Sequence, residues 1–126
     1  MNRIIDPKSV EKWPLEKHTG VTSKLLVDGQ NMTVLWTRWE PGGRAPEHTH
    51  PNEEVPVCLE GELIFTVNGE ECVVSAGEFI HIRSNTPHAE RNDGQVPAVL
   101  TDFFSPVRSD LHEQRFQAQI LEESGN

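Results

Sequence analysis

Long apolar runs are missing from this 126-residue sequence. Nothing approaches the roughly 20 consecutive apolar residues that a helix needs to cross a bilayer, so no membrane partner is expected. The opening MNRIIDPKSV lacks the apolar core of a secretory signal, and a cytoplasmic location is the expectation. Basic clusters are missing as well: 11 Lys and Arg stand against 20 Asp and Glu, for a net charge of −9. Without a Lys/Arg patch there is no general attraction to phosphate, and no nucleic-acid partner is expected. Cysteine is scarce. Cys58 and Cys72 could close one disulfide at most and read as free thiols in a reducing compartment; Cys58 shares strand parity with Glu54 and reads as a small buried hydrophobe. Repeats, low-complexity tracts and linkers are also absent. With 35% hydrophobic and 25% charged residues, the length suits one packed core, a single domain over 1–126.

What is present is a succession of short strand patterns. SKLLV and MTVLWTRW form a hairpin over 21–40 with Asp28-Gly29 at its turn, and Pro41, Gly42 and Gly43 end the second strand. A strand over about 47–59 follows and breaks at Glu60-Gly61. ELIFTV and ECVVS flank Asn68-Gly69, whose residues tolerate the positive φ of a type I′ turn. After Ala76-Gly77 come EFIHI, a short strand carrying His88, the Asp93-Gly94 turn and PAVLTDFFS. Eight or so closely spaced antiparallel strands imply an all-β sandwich or barrel, its core at about 21–106. LHEQRFQAQILEE reads instead as a short C-terminal helix, about 109–122, with Asp110 as N-cap and Glu113 as its capping-box partner. Leu111, Phe116, Ala118, Ile120 and Leu121 give it a loose apolar stripe, and Glu122–Asn126 should fray.

The chemistry-bearing residues fall in two runs. In the first, His48 and His50 are one residue apart and point the same way on an extended strand, and Glu54 keeps that parity where Glu53 does not. His88, in the second run, must come from a different strand. Three imidazoles and one carboxylate suit a divalent transition ion (Fe, Mn, Ni, Co or Zn) with positions left open for water or substrate. His81 reads as a packing residue; His18 and His112 lie outside both runs and read as solvent-exposed.

The first run fits G-x5-H-x-H-x3-E-x6-G from Gly42 to Gly61. The second fits G-x5-P-x-G-x2-H-x3-N from Gly77 to Asn92, with Arg83 in place of the Pro and Asn85 in place of the second Gly. Both closely resemble the cupin superfamily. The resemblance implies a double-stranded β-helix, or jelly-roll, barrel holding one metal on His48, His50, Glu54 and His88. Asn85 accepts a left-handed backbone, so the turn can survive its departure from the motif. The late segment Asp102-Phe103-Phe104-Ser105-Pro106-Val107-Arg108-Ser109-Asp110, a D-x-F-x-P-x-R-x-D pattern, resembles that of KdgF-type cupins of pectin and alginate breakdown. That resemblance implies Asp102 as acid/base group, Phe104 as pocket wall and Arg108 as clamp on a substrate carboxylate. Val57 stands where such proteins commonly carry a tyrosine, and Glu54 where they often carry a glutamine. Asp102 could instead pair with Arg108, with Phe104 in the core.

The leading function is a non-redox metal-dependent isomerase or lyase acting on a small sugar acid or keto acid. A metal-dependent dioxygenase and a non-catalytic ligand-binding cupin are the alternatives. Trp36 and Trp39 fall on opposite faces of one strand, and Val55, Val57 and Leu59 oppose Glu54. Apolar residues on both sheet faces favour a homodimer, or else the N-terminal segment around Ile4, Ile5 and Trp13 and the C-terminal helix cover the outer face.

Overall fold

The computed structural model describes residues 3–124. Strands β1 (Lys12–Pro14), β2 (Thr19–Asp28), β3 (Thr33–His48), β4 (Glu53–Glu60), β5 (Glu62–Val67), β6 (Glu70–Ser75), β7 (His88–Arg91) and β8 (Ala98–Ser105) precede helix α1 (Ser109–Ser124). Every strand pairing is antiparallel. The fold is the jelly roll implied by the sequence motifs.

β3 organises the molecule, and it is longer than expected. The chain does not leave the strand at Pro41-Gly42-Gly43; it bends there and continues to His48. Gly42 takes a φ of 86°, and its N–H donates to the Asn92 carbonyl while the Asn92 N–H donates to that of Gly43. The ladder is thus re-satisfied beyond the bend. Before the bend Thr33–Trp39 pair with β8, and after it Arg44–His48 pair with β7. One strand therefore serves both halves of the sandwich: β1-β2-β3-β8-β4 on one side and β3-β7-β5-β6 on the other. Asn92 locks the crossing, since its buried side chain donates to the carbonyls of Trp39 and Val96 and accepts from the Gly94 N–H.

Between the halves lies an apolar core that includes the fully buried Leu35, Leu63, Phe65, Ile82 and Leu100. Burial alternates along β8, with Leu100, Asp102 and Phe104 inside and Phe103 outside, the period-two pattern of a half-buried strand. At Gly61 (φ 71°), an added Cβ would lie 2.5 Å from the Pro97 carbonyl oxygen, which explains glycine at this break. Asn85 takes the left-handed φ of 59° that its motif position requires. Pro56 sits on β4, which pairs with β8 on one side and on the other meets the irregular 77–82 segment through bridges at Glu54–Ile82 and Val57–Phe79 and an Ile80 N–H donated to the Pro56 carbonyl. Its missing N–H is tolerated on this irregular side. EFIHI supplies those bridges rather than a full strand.

The helix begins at Ser109, so Asp110 lies inside its first turn instead of capping it. Its carboxylate is engaged by Arg108. Of the expected stripe, Leu111 is buried and Ala118 packs partly on the core, whereas Phe116 and Leu121 stay exposed. Leu111 and Ala118 lie about two turns apart on the face that packs on the core and lines the cavity. The helix continues past Glu122 to Ser124, and Gly125 and Asn126 lie outside the described residues.

Candidate metal centre

His48 ends β3, His50 lies in the connection that follows, Glu54 opens β4, and His88 opens β7. The single strand expected to carry His48, His50 and Glu54 does not exist. Pro51, which has no N–H to give, interrupts it, and the His50 carbonyl turns to accept from Asn85. Turning, rather than parity, brings the side chains together. The ligand-type nitrogens of His48, His50 and His88 lie within 4.8 Å of one another, and the rings of His48 and His88 are 4.2 Å apart between centroids.

All three imidazoles are held the same way. Nδ1 of His48 donates to the Pro46 carbonyl at 2.8 Å, that of His50 to Asn52 at 3.0 Å and that of His88 to Thr86 at 2.7 Å. With the proton fixed on Nδ1, each neutral ring keeps its Nε2 lone pair for a cation. His88 Nε2 is buried with no hydrogen-bond partner. Glu54 is 4% exposed, and its Oε1 lies 3.1 Å from His50 Nε2 and 3.4 Å from His88 Nε2. A carboxylate oxygen facing two nitrogen lone pairs demands a proton or a cation between them. The three histidines could hold a metal ion, and the residues fit one.

The electrostatics have the same sense. Burial pulls the His48 imidazole down to about 4, against the opposing bond to Pro46, so it is a neutral donor at ordinary pH. Burial would raise Glu54, but the contacts with His50 and His88 outweigh it and hold the carboxyl at about 2. Burial also works to lower His88; the Glu54 contact and the Thr86 carbonyl overcome it and leave the imidazole above its ordinary value. A positive charge is therefore favoured where these side chains meet.

A cavity of about 1110 Å³ opens on His48, His50 and Glu54, and Asp102, Phe104 and Arg108 line it as well. Asp102 is buried, its Oδ1 without a partner. Burial, then the charge of Glu54, pushes its carboxyl well above the usual range, opposed by Arg108. Phe104 packs edge-on against His50, with ring centroids 5.6 Å apart, and carries the Arg108 guanidinium 4.9 Å above its own ring. Arg108 does not pair with Asp102; it makes a two-pronged bond with Asp110.

Three residues of this site escaped the sequence reading. Glu90, buried and with Oε2 unpartnered, lines the cavity 3.8 Å from His88 Nε2. It shares strand parity with His88, a signal that was available. Asn52 is buried; its carbonyl fixes His50, and its amide donates to the carbonyls of Pro106 and Val107, tying a histidine to the loop that carries Arg108. His18 is half-buried rather than solvent-exposed, and it lines the cavity beside Trp39 and His48, at ring distances of 5.6 and 6.1 Å. No local pattern marks His18, because tertiary packing alone brings the connection between β1 and β2 to the cavity wall. Cys58 is buried away from the cavity lining, with Sγ directed to the carbonyls of Glu60 and Gly61. His81 is exposed and bonded to Glu53, and His112 is exposed and paired with Asp28.

A family model described as Cupin domain matches residues 35–104, more than half of the chain. Quercetin 2,3-dioxygenase of Bacillus subtilis (strain 168) is 30% identical over 96 residues, 69% of this chain and 28% of that protein. Polyketide synthase CurC of Streptomyces cyaneus is 30% identical over 110 residues, 83% of this chain and 70% of that one. Several curated relatives are much longer: the chain spans 28% of the dioxygenase and 42% of an Escherichia coli (strain K12) transcriptional regulator, PuuR. Among solved structures, KdgF from Halomonas sp. superposes with a TM-score of 0.80 at 17% identity, covering 88% of this chain and 99% of that one. At that identity the likeness is one of fold.

Proposed function

The chain belongs to the cupin domain family, and from that premise we propose that it is a mononuclear metal-dependent enzyme catalysing non-redox proton transfer beside a carbonyl group, an isomerase or lyase. The metal set is His48, His50 and His88 with Glu54. The observation that carries the reading is Asp102: a buried carboxyl with a free oxygen, its proton affinity raised by burial, in the cavity lined by His48, His50 and Glu54. A divalent ion bound there would polarise a substrate oxygen. Asp102 has the burial and proton affinity to take a proton from an adjacent carbon and return it to another. Arg108, stacked on Phe104 and restrained by Asp110, would orient an anionic substrate group at the wall.

The test is exchange of the substrate's α-hydrogen with deuterated water, followed by NMR on protein loaded with one metal at a time. Asp102→Asn should slow exchange by about 10²–10⁴-fold with metal content unchanged. Loss of metal in that variant would assign Asp102 a structural role. A second reading, a dioxygenase, is supported by the same three-histidine, one-glutamate set and by the Bacillus subtilis relative. Stoichiometric oxygen uptake on adding substrate would replace the first reading with the second. A homodimer through the outer sheet face, where Leu59 and Phe103 are exposed, is also proposed, and light scattering would show twice the 14.2 kDa chain mass.

A further inference from the structure

Resting on that reading, we propose that the substrate is amphipathic: a compact oxygen-bearing head at the histidines joined to an apolar, ring-sized body lying against β1 and α1. The cavity, at about 1110 Å³, is larger than the roughly 300–1,000 Å³ of ordinary small-molecule sites. Its lining is divided by element. β4, β7 and β8 contribute Glu54, Glu90 and Asp102, grouped with the histidines. Of the lining from the β1 segment and α1, Trp13, Leu15 and Leu111 are buried and Ala118 half-buried, with Leu121 beyond them, while the polar members Glu16, Lys17, Glu113 and Gln117 are exposed.

A monosaccharide acid carries hydroxyls on every side. Those turned towards Trp13, Leu15 and Leu111 would be buried against carbon without partners. An apolar ring body avoids that cost and removes its own surface from water. The apolar wall holds one further clue: Trp13 Nε1 is buried and has no acceptor in the protein. A buried N–H needs an acceptor, and a ligand oxygen in the cavity would supply one, so the proposed body carries at least one acceptor, as a phenol or aryl ketone does. This points to a larger and less polar substrate than the sugar acid expected from the late segment.

The full chain loaded with zinc would be titrated calorimetrically with 2-acetyl-1-naphthol, with acetylacetone, which keeps the oxygen head but lacks the rings, and with galacturonate. The naphthol should bind about tenfold or more tighter than either of the others. Ala118→Glu should cut that advantage about tenfold and leave acetylacetone within about twofold of its original affinity. Leu121→Glu, at a position 70% exposed where folding is not at stake, should act in the same direction. Trp13→Phe should weaken the naphthol at unchanged zinc content. Equal affinity for all three probes, or equal loss for head and body probes in the variants, would overturn the proposal. The underlying enzymatic reading fails on other observations: zinc not retained, or hydrogen exchange indifferent to Asp102.

Discussion

Replacing Asp102 by Asn should make the metal-free protein more stable at alkaline pH while it removes activity. Asp102 is 7% exposed with one carboxyl oxygen unpartnered, and burial followed by the Glu54 charge raises its proton affinity. For a raised carboxyl, the stability it permits is fully present below the unfolded pKa of about 3.9 and is lost as pH rises through the folded value. At pH 8 the wild-type fold therefore carries the cost of a buried charge that Asn does not. A buried polar group without partners costs about 1–3 kcal/mol, and more when charged; we take that range as the difference. An unfolding entropy of about 2.1 cal/mol/K per residue over 126 residues gives roughly 0.26 kcal/mol/K, hence a rise in Tm of about 4–11 °C. At pH 4 the two proteins should melt together. Glu90, raised by burial and by the charges of Glu54 and Asp102, loses one of those repulsions in the variant, which adds to the gain at pH 8. Calorimetric melts of chelator-treated protein at pH 4, 6 and 8 provide the measurement. A variant less stable than wild type at pH 8, or a gain of equal size at pH 4 and pH 8, would refute the reasoning.

Three further outcomes follow from the same geometry. Because the Glu54 contact raises the proton affinity of His88, zinc binding at mildly acid pH should release protons; calorimetry in buffers of different ionisation enthalpy should find a release that shrinks as pH rises, and no release would contradict the shared-proton arrangement. Asn92→Ala removes two donated bonds and one accepted bond at the strand crossing, and should cost about 2–4 kcal/mol, read as a fall in urea midpoint at unchanged m-value; a loss under about 1 kcal/mol would show that the crossing holds without it. Arg108→Ala should raise KM about 10–100-fold for a carboxylate-bearing substrate with kcat little changed, and an equal loss for an uncharged analogue would remove the clamp.

Much of the molecule was legible in one dimension because its signals are local. Alternation of apolar residues, the Asp28-Gly29 and Asn68-Gly69 turns and the glycines at Gly42, Gly61 and Gly77 are written in adjacent residues, and they specify strands and breaks without knowledge of neighbours. Glycines 42, 61, 69 and 77 all take positive φ. The ligand-type residues were legible because two fixed spacings frame them. The order within the first run was misread: parity along one strand predicted a meeting that a turn at Pro51 actually produces.

By itself, then, the sequence determined the strand succession, the jelly roll and the group of three histidines with Glu54, since each depends on spacing along the chain. Only the tertiary structure decided the cavity's contents and its walls. That His18 and Trp13 line the cavity beside the histidines and that Asn52 couples His50 to the Arg108 loop are contacts between distant segments. Their formation depends on how β3 bends from one sheet into the other and on where α1 settles. Those are outcomes of packing an entire core, and no short window of residues encodes them.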